Sequence, residues 1–172
     1  GGFMIPRSLS GIVSDSLPTF YEKGLRRYRG FVDPLWGYDA HTTWLAAQLT
    51  WDASQDPAQL LEEFFRLYYG PAAVPIREFF GVAERIWMNQ QGKGRWLRHW
   101  KNPHQAALYG EAELEELERW LVAAEKAVAS HSAPGGQKQA AERFARRVGY
   151  TRDLFEMTER FVEIVHLRWA VS

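Results

Sequence analysis

Catalysis and ligand binding need particular residue types at workable spacing, and this sequence offers several candidates. Ser14, Ser16 and His41 supply the types of a nucleophile and its general base, but no Gly-x-Ser-x-Gly turn surrounds either serine, so an acyl-transfer centre is not indicated. His99 and His104 are separated by Pro103 and cannot share a helical face, and no HExxH motif occurs, so no metal is expected. Gly92-Lys93-Gly94 lacks the Gly-Lys-Ser/Thr ending and the preceding strand of a phosphate-cradling loop and reads as a helix terminus. The run Lys93, Arg95, Trp96, Arg98, His99, Trp100, Lys101 interleaves bases with rings. That pattern suits stacking on nucleobases or sugars, or a connector whose indoles dock on a core while the charges stay solvated.

Carboxylates are plentiful. Glycosidic hydrolysis needs two of them roughly 5 to 9.5 Å apart across a cleft, a separation that sequence spacing does not reveal. Asp15 stands out because it follows Gly11-Ile12-Val13, which reads as a short strand, and barrel enzymes carry functional groups on loops at strand ends. The competing role for Asp15 is to cap the next turn or helix. No catalytic set and no cofactor motif is complete.

The composition narrows the partners. Twenty-one basic and 21 acidic residues cancel, leaving no global field for phosphates or anionic lipid, so neither nucleic acid nor membrane is an expected partner. No apolar run approaches the ~20 residues of a membrane span, and Gly1 to Ser10 lacks the charged start and long apolar stretch of a signal peptide. The leading Gly-Gly reads as an expression scar or an excision point from a longer protein. With no cysteine, disulfides, thiolate metal sites and cysteine nucleophiles are excluded, and no compartment is assigned. At 172 residues one domain can bury roughly 70% of its unfolded surface. The aromatic share of 15%, with 8 Trp, exceeds what packing alone calls for, so some rings are expected to face a ligand or partner.

The elements that would position these groups are mainly helical. After the Gly11–Val13 strand, Pro18 is expected to start a short helix carrying Tyr21, Leu25 and Tyr28 and ending at Gly30. Asp33-Pro34 and Trp36-Gly37 read as a turn, and Asp39 as the cap of a helix reaching about Trp51. The clearest element runs from Asp56 to Tyr69: Asp56 caps, Pro57 takes the first position, Gln59 completes a capping-box-like exchange, and Gly70-Pro71 ends it. Leu60, Phe64, Leu67 and Tyr68 recur at helical spacing. A further helix is expected near Pro75 with Ile76, Phe79, Phe80, Ala83 and Ile86 on one face. From Gly110 another starts with four glutamates and the stripe Leu114, Leu117, Leu121, Ala124, Val128. A long helix from Gln137 to about Ala170 repeats Phe144, Val148, Thr151, Phe155, Thr158, Val162, Val165 and Trp169 at alternating spacings of four and three. Gly149 inside it suggests close approach of another element. The fold class is therefore mainly α: a helical bundle with a long C-terminal antiparallel hairpin and at most one or two short strands near the N-terminus. Residues 1–35 form a mixed segment and 36–172 a helical domain.

One stretch carries a family resemblance. Trp36-Gly37-Tyr38-Asp39, Trp44 to Asp52, Asp56 to Phe65 and Tyr68-Tyr69-Gly70-Pro71-Ala72-Ala73 together resemble the C-terminal part of domain-of-unknown-function family 4838, which overlaps glycoside hydrolase family 163. The resemblance implies a piece of a larger glycan-processing protein with a barrel-type catalytic domain. By that analogy residues 1–35 hold a barrel remnant, the catalytic acids lie upstream of Gly1, and the N-terminal barrel is the partner. Asp15, Trp36 and Tyr38 would line the rim of a sugar site, where rings suit sugar C–H faces and carboxylates accept hydroxyl hydrogen bonds. A helical protein-interaction module, homodimeric when isolated, is the alternative.

Overall fold

A computed structural model describes residues 5–27, 36–89, 103–131 and 138–171. Among them lie six α-helices and no strand: α1 (Ser10–Glu22), α2 (Trp36–Trp51), α3 (Pro57–Tyr69), α4 (Ala73–Met88), α5 (Glu111–Ala129) and α6 (Lys138–Ala170). Two 3-10 turns, Gly70–Ala72 and Pro103–Leu108, join or precede them. The class is mainly α, with the long α6 packed against α5.

The expected N-terminal strand is replaced by the first turns of α1. Three apolar residues are too few to distinguish a period of 2 from 3.6, and tertiary contacts decide. Val13 and Leu17, four apart, turn toward Leu45, Leu49 and Leu60. Ser14 and Thr19 hydroxyls fold back onto the carbonyls of Ser10 and Asp15, four residues earlier, which is compatible with helix. Pro18 sits inside α1 instead of starting a helix. The chain leaves α1 at Gly24, whose φ of 89° only glycine takes cheaply, so the element ends before the expected Gly30.

Helix α2 begins at Trp36, three residues before the expected cap, which leaves Asp39 in the first turn where its charge complements the helix dipole. Ser8, just ahead of α1, meets His41 in the first half of α2, while Leu17 farther along α1 meets Leu45 and Leu49, so α1 and α2 run in the same direction. α3 returns antiparallel, with Leu60 beside Leu49 and Phe64 and Phe65 beside His41. Its caps are as expected: the Asp56 carboxylate accepts from Ala58 N at 2.8 Å, and Gly70 closes it with φ 55°. A side chain at Gly70 would also meet the ring of Phe144 at 2.6 Å. After the 3-10 turn, α4 starts at Ala73, two residues before Pro75, and buries Ile76, Phe79, Phe80, Ala83 and Ile86.

Glu113 bonds back to Gly110 N at 3.1 Å and starts α5. The α6 seam from Val148 through Thr151, Phe155, Thr158 and Val162 to Val165 is buried, joined by Leu154. Trp169 falls outside that core, its ring 5.7 Å from His104 and 5.6 Å from His166. α5 and α6 are antiparallel, since Arg152 pairs with Glu118 and Glu125 while Glu163 and His166 share a groove with Glu111 and Glu115.

The close approach expected at Gly149 is found elsewhere. A Cβ on Gly149 would meet nothing within 4 Å, whereas one on Gly37 would lie 2.5 Å from Leu154 Cδ1 and 3.0 Å from Tyr150 Cδ1. The two glycines should therefore respond with opposite signs. Gly37→Ala is expected to destabilise the fold by about 1–3 kcal/mol through overpacking. Gly149→Ala should stabilise it by up to about 1 kcal/mol through helix propensity. Urea unfolding of both variants checks the pair, and equal shifts would contradict the packing of α2 on α6.

Candidate functional site

The polar groups that the fold gathers come from four elements. Residues 5–9 cross the molecule as a strap that leads into α1 at Ser10. Ile5 is fully buried, the Pro6 carbonyl accepts from Tyr109 Oη at 2.6 Å, and the Arg7 guanidinium lies 5.5 Å from the centre of the Trp87 ring. Ser8 and Ser10 follow, 1% and 8% exposed. Ser8 Oγ stands 3.0 Å from His41 Nε2 and 3.3 Å from Glu84 Oε2, while Ser10 Oγ donates to the same Oε2 at 2.8 Å. The other oxygen of Glu84 accepts Gly11 N at 2.8 Å, so one α4 side chain satisfies a free donor at the start of α1.

A serine, a histidine and a carboxylate in one cluster invite comparison with an acyl-transfer triad. In a triad the carboxylate orients the histidine, which then takes the serine proton. Here Glu84 bonds both serines instead of the imidazole. With each serine donating to Glu84, His41 Nε2–H donates to Ser8 Oγ, the reverse of general-base geometry. His41 is 2% exposed and walled by Phe65 and Phe80, with ring centres 5.5 and 4.3 Å away. Burial pushes its pKa down to about 3, so it is a neutral, packed residue at pH 7. The cluster is an anchor that joins strap, α1, α2 and α4. His41, which forms no active centre with Ser14 or Ser16, meets Ser8 instead. Serines upstream of an apolar run were the only signal available.

A second gathering lies between α5 and α6. Glu111, Glu115 and Glu118 face Glu159 and Glu163 across a groove of about 380 Å³ floored by Tyr109, Leu114 and Val162, with His166 at one end. Burial first, and then the nearby Glu118 carboxylate, hold Glu159 above the usual carboxylate range. Arg152 sits beyond it, bonded to Glu118 and, at 2.7 and 3.0 Å, to Glu125. Burial alone would lower its pKa, but hydrogen bonds and charge from Glu125 and Glu118 outweigh that and raise it. Among the described residues no group of three or more side chains is arranged to hold a metal ion.

The three residues singled out for a sugar rim are placed differently from one another. Asp15 is exposed on α1, Trp36 opens α2 with its side chain outside the described residues, and Tyr38 is buried with Oη 2.7 Å from Thr158 Oγ1. Burial raises the Tyr38 pKa well above 10, so it stays a neutral phenol. The basic Trp-rich run 93–101, with Gly92-Lys93-Gly94, lies outside the described residues.

The phrases of α2, α3 and the Gly-Pro turn that carry the resemblance fall within one matched region. Residues 15–81 match DUF4838, a domain of unknown function. The match holds α2 and α3 entire, most of α1 and the first half of α4, which is well under half of the chain. No curated protein and no solved structure matches.

Two outcomes follow from the sealed cluster. A fluorophosphonate probe should leave Ser8 unmodified at pH 7, as read by intact mass and peptide mapping, and labelling there would show an open, activated serine. His41, with a folded pKa near 3 against 6.5 when unfolded, binds its proton only in the unfolded chain between those values. Its stabilisation is complete above pH 6.5 and is lost as pH falls, by up to about 1.4 kcal/mol per unit. Urea midpoints from pH 7 to 4 should fall more steeply in the wild type than in His41→Gln.

Proposed function

We propose that this chain is a helical region of a larger glycan-processing protein that packs against a barrel-type neighbour and has no reaction of its own. The observation carrying this reading is an uncovered apolar end. Phe20, Tyr21 and Leu25 at the end of α1 are 45%, 52% and 53% exposed, and Trp51 at the end of α2 is 90% exposed. Because α1 and α2 run in the same direction, these side chains lie toward one end of the molecule, and all four fall within the matched residues 15–81. Isolated domains rarely leave Trp so exposed, and clustered apolar surface marks an interface. The resemblance of residues 36–73 to a family that overlaps glycoside hydrolases supports a barrel as the covering body. In this reading Asp15, exposed on α1, supplies a carboxylate at the rim of the neighbour's sugar site, which extends along α2 from Trp51 toward Trp36 at its other end, with Tyr38 bracing it from the core.

The test is to produce the barrel-containing segment of the longer polypeptide separately and measure its binding to this chain. Phe20→Ser and Trp51→Ser should change the stability of the isolated chain by less than about 0.5 kcal/mol, as expected for surface sites, yet abolish binding. Unchanged binding, or a longer polypeptide without alternating strands and helices, would defeat the proposal. The same exposed end also supports a second reading, a homodimeric interaction module. A concentration-dependent mass of the isolated chain, lost in Trp51→Ser, would favour that one.

A further inference from the structure

The polar cluster around His41 joins the main body to a segment that is not part of any helix. Residues 5–9 contribute no backbone hydrogen bond to a neighbouring strand or helix, apart from Leu9, whose carbonyl accepts Val13 N at 3.0 Å. The segment is held from outside by four kinds of contact: burial of Ile5, the Tyr109 hydroxyl on the Pro6 carbonyl, Arg7 over Trp87, and the two serines on Glu84 and His41. Apart from the Leu9–Val13 bond and Ser10 at the first turn of α1, the fastenings are side-chain contacts, so the segment can lift while the rest of α1 and all of α2 stay wound. Short segments fastened by a few side-chain contacts open far more cheaply than a buried helical seam.

We infer that residues 5–10 form an acid-sensitive latch, in which Ser8 seals the imidazole edge of His41 and lifting the strap lets His41 take up a proton. Closed, His41 Nε2 sees only Ser8 Oγ at 3.0 Å and its neighbour Thr42 Oγ1 at 3.3 Å. The other elements packed on the ring bring no charge against it: α3 supplies Phe64 and Phe65, and α4 supplies Phe80. The nearest carboxylate, Glu84 of α4, is committed to Ser8, Ser10 and Gly11 N and reaches the imidazole only through Ser8. The strap's own charge, Arg7, lies over Trp87, and Asp39 stands two residues away on α2. Among the described residues a proton on His41 therefore has no carboxylate in direct contact while the strap is closed. Once Ser8 leaves, the ring edge and Glu84 are both open to water and the imidazolium is solvated beside a carboxylate. The depressed pKa of the closed ring agrees with this. Acid thus favours the open strap, whose departure uncovers the Trp87 ring and the Tyr109 hydroxyl.

Hydrogen–deuterium exchange of the full chain between pH 7.5 and 4.5, corrected for intrinsic exchange rates, tests the latch. Opening constants for the peptide spanning residues 5–11 should rise about tenfold per pH unit below 6.5. Those for residues 148–158 of α6 should stay far smaller than the strap's at every pH. His41→Gln should flatten the strap's dependence. If that variant fails to fold, Ser8→Ala supplies the second measurement: it should open the strap more at pH 7 and keep the slope below 6.5. A strap whose opening is independent of pH overturns the latch. So does a strap that opens only together with α6, because acid would then act through global unfolding.

Discussion

The packing of α2 and α3 against the body of the molecule rests on a single side of α6. Its alternating four-and-three seam is not wholly apolar: Thr151 and Thr158 replace aliphatic residues at two buried positions. Each threonine hydroxyl bonds the carbonyl four residues earlier and also faces a tyrosine, Thr151 with Tyr69 of α3 and Thr158 with Tyr38 of α2. Buried polar groups are costly unless paired, so these pairs fix the register at which α2 and α3 lie on α6. The absence of a side chain at Gly37 lets α2 approach closely enough for the pairing. Burial drives the Tyr69 and Tyr109 pKa values upward, as it does for Tyr38, and all three are neutral donors at pH 7.

The same logic organises the other side of the molecule. α5 covers α6 through Leu117, Leu121 and Ala124, and its glutamates and Arg152 arrange themselves around that apolar strip. α1 is not part of this core. It belongs to a smaller cluster with α2 and α3, built on Leu17, Leu45, Leu49 and Leu60, and is tied down by Glu84 at its start. A helix held by a small cluster and one carboxylate, with a large apolar end left bare, is suited to sit between the bundle and another body. Exposed rings lie on α1 and at the end of α2, and others, Tyr150 and Trp169, lie on α6.

The polar cluster at Ser8 shows why residue types alone are a poor guide to chemistry. It contains the three side chains of a hydrolytic triad within hydrogen-bonding distance, yet the carboxylate bonds the wrong partner and the imidazole is sealed among phenylalanines. Function follows from connectivity and access as much as from composition.

Much of the architecture was legible in the sequence because local signals agreed with periodicity. Asp56, Pro57, Gly70 and Pro71 bound α3 closely, the glutamates after Gly110 announce α5, and the seam of α6 can be read off its spacing. The N-terminal region was misread, since three apolar residues carry no decisive period and the helix there depends on Glu84, more than seventy residues away. Gly149 looked like the point of close approach because glycine is costly in a helix, but only the packing of α2 reveals that Gly37 has that role. His41 was visible as a residue type and Ser8 was not visible at all. The sequence by itself determined the helices and the faces they bury, since those follow from near neighbours along the chain. Which buried hydroxyl meets which ring, and whether a serine and a histidine form a site or a seal, was decided only by tertiary structure, because those pairings join residues 33 to 120 positions apart.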